Sequence, residues 1–471
     1  MKKKAINPTR REFLARTGAG AAGLVLGLNG IDADSYSRII GSNEKIRVGF
    51  MGTGNRGTQL LHTFMTMPDC ETAALCDVYE PYITRQYDKV DPRYISTRPQ
   101  QIPKMGEAFT GKVGRYSDYR KMLENRDIDA VVIATPDHWH ALQTIHSLQA
   151  EKHVYVEKPV SKTISEGRAM VKAAAASGKI VTVGLNRRAS STFMKLAGEI
   201  PAGRIGKVTF ASACHVSNMY PSGIGRFKPE TPPGDLNWDA WLGPRAYRPY
   251  QYNIAPYMFR WWEDYANQIS NNGVHYLDLI RWMLGETAPV WISAGGGKYA
   301  VDDDRTIPDT MQATFEFASG AIVSINIIET SSGSFIPYGF IEMRGTKATL
   351  LTGENDYRIV PTRPGQFQSW ETLTDAESVD LATENPRLLN DGRSSDSTTN
   401  LARNFLDCIK TGKTPFCTLE EGHRSTSLAH LATIAMLTNE KLRWDAVSEK
   451  FLNSDKANTL LAYEYRKPYT L

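Results

Sequence analysis

The sequence predicts an α/β chain in which a doubly wound parallel sheet precedes a second α/β region built on antiparallel strands. Three observations carry that prediction. Between residues 46 and 188, short apolar runs alternate with helical patterns, the order of β-α-β units. One run, Ala130-Val131-Val132-Ile133-Ala134, is apolar throughout, as a strand buried on both faces must be. From residue 290 to 352 the pattern changes to alternating apolar and polar residues with glycine turns, the mark of antiparallel strands.

The first apolar run, 46–51, leads into Gly52-x-Gly54-x-x-Gly57 and then a helical pattern. In such a turn the glycines serve a tight bend, close approach of backbone to a pyrophosphate, and close packing of helix on strand. The helix start offers free N–H groups and its positive dipole end to phosphates, a role expected to include Asn55 and Arg56. The next run, 72–76, ends at Asp77, 20 residues past Gly57. An acid there accepts from an adenosine ribose and repels a 2′-phosphate, which favours NAD over NADP.

Residues 81–90 read as a polar helical segment and 91–103 as a loop without period. A short strand at 113–116 and a helix at 119–125 precede the run at 130–134. That run ends in Thr135-Pro136-Asp137-His138-Trp139-His140, a turn placed where open parallel sheets bind ligands. A helix over 141–149, a strand over 153–156, the turn Glu157-Lys158-Pro159, a helix over 165–177 and a strand over 180–184 complete the alternation.

A chain of 471 residues can form two or three domains with sizeable cores. Its 41% hydrophobic and 23% charged residues are those of a globular protein. The net charge of +4 is small and dispersed, which excludes a nucleic-acid footprint. The five cysteines form no C-x-x-C pair, so neither a zinc knuckle nor a disulfide framework is indicated.

The first residues read differently. Lys2-Lys3-Lys4 and the pair Arg10-Arg11 precede a Gly- and Ala-rich apolar run at 18–28, too short and too weakly apolar for a stable membrane span. Basic, apolar, then small and polar is the order of a signal peptide, and paired arginines point to the twin-arginine exporter. Residues 1–34 are expected to be that signal, with cleavage near Ala33 and a periplasmic location. No cysteine lies at the end of the run to suggest a lipid anchor.

Together, Gly52-x-Gly54-x-x-Gly57, Asp77, the 135–140 turn and Glu157-Lys158-Pro159 resemble the glucose-fructose oxidoreductase/inositol dehydrogenase/MocA family. The resemblance runs over nearly the whole chain after the signal. It implies an N-terminal Rossmann domain (44–188) and a C-terminal α/β domain (189–450) with a large, open, mostly antiparallel sheet that makes dimers or tetramers. It implies NAD and a sugar, polyol or glycoside hydroxyl as the reacting group. By resemblance, Lys158 touches both nicotinamide and substrate. Near a cationic ring and partly desolvated, a lysine loses basicity and can relay a proton.

In the second domain, 208–216 alternates as a strand. Residues 221–265 are rich in aromatics, among them Trp238, Trp241, Tyr247, Tyr250, Tyr252, Trp261 and Trp262. As a cluster they suit the C–H faces of a sugar ring, although any one of them alone is better explained by packing. Gly273-x-His275-x-x-Asp278 matches a family motif in which His275 is the acid/base. Many redox members carry an aspartate four residues before that histidine; here the position is Asn271, which takes no proton. Asp278 is placed to orient His275 or to cap elsewhere. Residues 352–400 read as long loops, 397–411 and 419–437 as helices. His423 and His430, like His138 and His140, lack a third ligand, so no metal is expected, although His423 could line the cleft.

Expected cofactor contacts are thus Gly52, Gly54, Asn55, Arg56, Gly57, Asp77, Thr135, Pro136, His138, His140, Glu157, Lys158 and Asn186. Expected substrate contacts are Lys158, Tyr220, Arg260, Trp261, Asn271 and His275. The function expected is an exported, NAD-dependent oxidoreductase of a sugar or glycoside hydroxyl. Free NAD is scarce outside the cytoplasm, so the cofactor should be retained. C3 oxidation to a 3-keto glycoside is the plausible case. Two alternatives stand: a glycosidase of the same fold that uses NAD transiently, and a non-catalytic nucleotide- or sugar-binding protein.

Overall fold

The computed structural model describes residues 45–354, 356–380 and 396–471. The expected export signal and residues 381–395 of the expected loop region lie outside the described residues.

Six strands form the first sheet: β1 (Ile46–Met51), β2 (Cys70–Cys76), β3 (Gly114–Tyr116), β4 (Ala130–Ile133), β5 (His153–Val156) and β6 (Val181–Val183). Their order is β3-β2-β1-β4-β5-β6, and every pair is parallel. The order reverses between β1 and β4, which opens a crevice at their carboxyl ends. Helices α1 (Asn55–Met65), α2 (Asp137–Gln149) and α3 (Ile164–Ser177) belong to this sheet's crossovers. Leu60, Leu61 and Phe64 of α1 are buried, and Phe64 meets Phe50 and Tyr155 edge-on at 5.9 and 6.0 Å. A capping box, Thr163 with Glu166, starts α3, and Gly178 in the left-handed region (φ +66°) ends it.

Residues 81–103 meet the sequence expectation in part: the segment read as helical, 81–90, opens with a short helix, and the segment read as a loop, 91–103, contains another. The polar stretch holds two short helices, Glu80–Thr84 and Pro92–Thr97, each with proline in the first turn, where a missing N–H costs nothing. Tyr94 from the second stacks on Tyr252 at 5.0 Å and shares a hydroxyl hydrogen bond with Tyr250.

The second sheet has ten strands. They are β7 (Val208–Val216), β8 (Pro289–Gly297), β9 (Thr310–Phe317), β10 (Ile322–Ile328), β11 (Ile341–Gly345), β12 (Ala348–Thr352), β13 (Asp356–Pro361), β14 (Glu377–Asp380), β15 (Leu442–Asp445) and β16 (Lys450–Phe451). Their order is β14-β13-β12-β11-β7-β10-β9-β8-β15-β16. Only β7 and β10 pair in parallel; the other pairs are antiparallel. On β9, Met311, Ala313, Phe315 and Phe317 are buried while Gln312 between them is exposed. That buried face packs on α4 (Val274–Leu284) and on α6 (Leu419–Thr438), through Leu277, Ile280, Leu428 and Leu431.

Two expectations change here. Strands β13 and β14 lie in the stretch read as long loops; their polar edge residues hid them. Helix α5 (Ser397–Thr411), placed by sequence with the second domain, buries Leu401 and Phe405 against the first sheet. Phe405 meets Phe64 and Tyr155 at 6.3 and 5.9 Å. Among the described residues no helix is long and apolar enough to cross a membrane.

Candidate active site

A cavity of about 700 Å³ opens at the carboxyl ends of β1 and β4. At one end lies the glycine turn. Gly52 has φ +78°, and a Cβ there would sit 2.7 Å from the Thr135 nitrogen. A Cβ on Gly57 would fall 1.8 Å from the Gly52 carbonyl oxygen. A Cβ on Gly54 meets only the Tyr82 ring, at 3.3 Å, on the cavity wall. The outer glycines therefore hold the turn and the helix–strand contact, and the middle one leaves space for a ligand. Asp77 also lines this end. Its carboxylate accepts from the N–H groups of Thr53 (2.7 Å), Val78 (2.8 Å) and Tyr79 (3.1 Å). Burial pushes its pKa up, and those three donors pull it back. A turn with open backbone at Gly54 and an oriented acid 20 residues beyond Gly57 fits a dinucleotide.

Asn55 and Arg56 line the same end but are engaged elsewhere. The Asn55 amide donates to the carbonyls of Gln100 and Gln101, both at 3.3 Å. Arg56 Nε donates to the buried Glu157 carboxylate at 2.7 Å. Glu157 therefore anchors α1 to the end of β5.

A strap roofs this end. Tyr79 and Leu236 form an antiparallel bridge, with Glu80 N–H on the Asp235 carbonyl (3.0 Å) and Asn237 N–H on the Val78 carbonyl (2.9 Å). The last residues clip the strap down. Arg466 donates to the Asp239 carboxylate (2.6 Å) and the Gly243 carbonyl (3.0 Å), and Tyr469 packs edge-on against Trp139 at 5.4 Å. These residues lie past the domain end drawn at 450.

Towards the middle, Thr135, Pro136, Asp137 and His140 line the cavity. Thr135 Oγ1 donates to Gln143 at 2.6 Å. Both His140 ring nitrogens face carbonyls, Pro159 at 2.7 Å and Thr135 at 2.8 Å. His138 is a correction: it does not line the cavity. It is buried among Trp139, Trp241 and Tyr265, with Nε2 3.0 Å from the Trp241 carbonyl. Burial drops its pKa to about 3, so it packs as a neutral ring.

Lys158 stands at the carboxyl end of β5 on the cavity wall. Its ammonium donates to the Asn271 carbonyl oxygen (2.7 Å) and side-chain oxygen (3.0 Å). Burial lowers its pKa to about 8; Glu157 opposes that shift, and Arg260 adds to it. Asn271 belongs to a π-helical turn, Ile269–Gly273, that precedes α4. Such turns displace one backbone bond and cluster at functional sites.

His275 sits one turn further on. Burial and the charges of Lys158, Arg187 and Arg56 push its pKa well below the usual imidazole value. Its Nδ1 is buried without a partner, and it is not among the residues that line the cavity. Asp278 does not orient it. That carboxylate takes both Arg188 Nε (3.0 Å) and Nη2 (2.8 Å), and the Ser425 hydroxyl at 2.6 Å.

Arg260 and Trp261 line the far end. Arg260 donates to the Tyr257 carbonyl at 2.8 Å, with its guanidinium 4.2 Å from the Tyr257 ring centre. Trp261 Nε1 donates to Glu329 at 3.0 Å. Three further expectations fail on position. Asn186 ties its turn to α5, donating to Ser397 (2.9 Å) and Thr398 (3.2 Å), and does not line the cavity. Tyr220 is 59% exposed and lies outside the cavity wall. His423 pairs with Glu449 at 2.8 Å, away from the cavity wall. The aromatic cluster is also mostly core: Trp238, Tyr250, Tyr252 and Trp262 are buried with Tyr79, Tyr82 and Tyr94, whereas Trp241, Tyr257 and Trp261 reach the cavity.

The sequence missed His215, Gln268, Asn272 and Glu329, all on the wall. The Asn272 amide donates to Gln268 (2.7 Å) and faces His215 Nε2 (3.3 Å). Glu329 is fully buried with Arg305, whose Nη1 donates to it at 2.7 Å and whose Nε meets Asp303 at 3.0 Å. His215 and Glu329 belong to β7 and the end of β10, where alternation signals a strand and nothing signals a ligand. Only the adjacency of Asn271 and Asn272 to the histidine motif could have drawn attention to that wall.

Comparison with known proteins agrees with this geometry. Residues 46–185 match the model of the GFO/IDH/MocA oxidoreductase family's NAD-binding Rossmann fold, and 253–442 match the family's C-terminal alpha/beta domain. An alpha-N-acetylgalactosaminidase of Shewanella oneidensis is 31% identical over 173 residues, which are 34% of this chain and 35% of that protein. A glycosyl hydrolase family 109 protein of Shewanella sp. strain ANA-3 is 32% identical over a stretch of the same length. The matched stretch thus spans about a third of these curated relatives. Among solved structures, a levoglucosan dehydrogenase in complex with NADH and levoglucosan superposes with TM-score 0.60 at 17% identity, over 85% of this chain and 99% of that one. An aldose-aldose oxidoreductase of Caulobacter crescentus gives 0.57 at 17%, over 85% and 100%. At that identity these structures speak for the fold alone. The two matched domains, the strand order and the glycine turn make this chain an NAD-binding member of the GFO/IDH/MocA oxidoreductase family.

Proposed function

We propose that the protein is an exported oxidoreductase that transfers hydride between a sugar or glycoside hydroxyl and a retained NAD. The observation that carries this is the position of Lys158: one cavity holds the glycine turn and Asp77 at one end, Lys158 in the middle, and Trp261, Gln268 and Asn272 beyond it. Bound NAD supplies the hydride acceptor. The chain's own residues do the rest. Gly54 leaves room for the pyrophosphate, and Asp77 takes the ribose. The Lys158 amine accepts the hydroxyl proton, and Asn271 holds that amine by two oxygens. His275 lies off the wall as a buried neutral ring, which leaves the proton to Lys158. Trp261 and Tyr257 offer aromatic faces, Gln268 and Asn272 polar groups for hydroxyls. The strap at 235–237, held by Arg466, favours a cofactor that stays bound through turnover. Denaturing the purified protein should release NAD(H), and a sugar panel should change its absorbance before denaturation. A bound nicotinamide indifferent to every sugar would refute the reading.

A second reading is favoured by the similarity to the Shewanella alpha-N-acetylgalactosaminidase. In it the same hydride step is transient: oxidation acidifies a neighbouring C–H, the aglycone is eliminated, water adds, and the sugar is reduced again. Incubation with a nitrophenyl glycoside separates the two. Release of nitrophenol with an unoxidised sugar, and no external acceptor, supports this second reading over the first.

We also propose export by the twin-arginine route and a homo-oligomer formed through the polar outer face of the second sheet. Fractionation of expressing cells and light scattering test these.

A further inference from the structure

Asp137 is the first residue of α2 and is buried on the cavity wall, 7% exposed. No protein group among the described residues hydrogen-bonds its carboxyl, and Oδ2 is sealed without a partner. The other carboxylates of that wall are engaged. Asp77 holds three backbone N–H groups, Glu157 holds Arg56, and Glu329 holds Arg305 and Trp261. Asp118 and Asp239 pair with Arg120 and Arg466. A buried carboxyl without a partner is costly, so its persistence points to a role at the site. Lys158 lines the same cavity, close enough for the two charges to be felt and too far for an ion pair.

We propose that Asp137 is the positioning carboxylate of the Lys158 site, filling from the first domain the acidic role that Asn271 leaves vacant in the second. The proposal rests on the redox reading above. In oxidation, the substrate C–H leaves as hydride to bound NAD+, the O–H bond breaks, a C=O forms, and the proton passes to the Lys158 amine. Asp137 touches neither reacting atom; the positive groups around it, Lys158 among them, favour its ionised form, and in that form it stabilises the ammonium that Lys158 becomes. Reduction runs the same transfers backwards.

The neighbours set the balance. Burial pushes the Asp137 carboxyl up, towards the uncharged form. Against that act His140 on its own helix, then Lys158, Arg260 from the turn Met258–Trp261, and Lys162. Around Lys158, Glu157 and Asp137 favour the ammonium, while Arg260 and Arg56 oppose it. His215 on β7 and His275 on α4 face Lys158 as rings whose pKa is lowered by burial and by that lysine.

The test uses the NAD-loaded protein with Asp137→Asn and Asp137→Glu. Reductive methylation with ¹³C-formaldehyde labels lysines, and the Lys158 signal is the one lost in Lys158→Arg. The Lys158 titration midpoint should fall by about one unit in Asp137→Asn, the scale of a nearby opposite charge, and return in Asp137→Glu. The rising limb of the pH–rate profile should move down by the same amount. NAD content should stay within about twofold, and stability should not fall, because the orphan charge is gone. An unmoved midpoint overturns the proposal. So does loss of NAD with an unmoved midpoint, which would place the carboxyl on the cofactor. If no sugar reduces the bound nicotinamide yet the midpoint moves, the redox reading fails and the Asp137–Lys158 coupling stands.

Discussion

Two alanine substitutions in one turn should have unequal effects on stability: Gly57→Ala destabilises the fold, and Gly54→Ala leaves it nearly unchanged. In Gly57→Ala the new Cβ would lie 1.8 Å from the Gly52 carbonyl oxygen, where real contacts begin near 3.0 Å. Helix α1 must then retreat from β1 by about 1.2 Å, the difference between those distances. The obstacle is backbone, so no side-chain rotation relieves it. Overpacking of this kind costs about 1–3 kcal/mol. The retreat also carries the N–H groups at 54–57 off the pyrophosphate, and losing one charge-assisted bond costs about 2 kcal/mol, roughly thirtyfold in Kd. In Gly54→Ala the new methyl meets only the Tyr82 ring at 3.3 Å, which must give by a few tenths of an ångström. Stability should change by less than about 0.5 kcal/mol, as expected of a substitution without burial or strain, while the methyl takes the space left for the ligand. Urea denaturation of nucleotide-stripped protein measures the first quantity and NADH fluorescence titration the second. Equal destabilisation by both substitutions would refute this division of labour. So would parental NADH affinity in Gly54→Ala.

Four other outcomes are expected. Lys158 titrates at about 8, so the amine fraction rises from about one-tenth at pH 7 to about nine-tenths at pH 9, and single-turnover sugar oxidation should rise about tenfold over that range; a flat profile would remove Lys158 as base. Arg305→Met leaves Glu329 buried without its cation and Asp303 with Lys298 alone, and should cost about 3–5 kcal/mol in urea denaturation. Asp278→Ala leaves Arg188 with Glu421 as its one carboxylate and should cost about 1–3 kcal/mol, without moving the pH–rate profile; a moved profile would restore Asp278 as the residue that orients His275. Replacing Arg10 and Arg11 by lysine should leave the protein in the cytoplasm, as read by cell fractionation.

The first sheet was legible because its units are contiguous in sequence and its central strands β1, β4 and β5 are almost wholly buried. The run at 130–134 had no other plausible fate. The glycine turn was legible because its demands are local: Gly52 needs a positive φ and Gly57 a missing Cβ. The substrate wall was not, because it is assembled from residues far apart in sequence. His215 reaches it from a strand, Asn272 from a π-helical turn and Glu329 from the end of β10. Asn186 shows the converse error. It follows β6, where a cofactor contact is reasonable, but the start of α5 arrives there first and takes its amide. The aromatics of 221–265 misled for a related reason: an aromatic is equally suited to a sugar and to a core, and Tyr94 supplied the core partner.

The clip formed by Arg466 and Tyr469 bears on the order of assembly. Asp77 and the glycine turn stand early in the sequence, on strands that all lie within residues 46–183. The groups that fasten the strap over Val78 emerge from the ribosome long afterwards. The roof over the nucleotide end is thus fastened by pairs distant in sequence, Val78 with Asn237 and Asp239 with Arg466, so loosening either pair acts on the same end of the cavity.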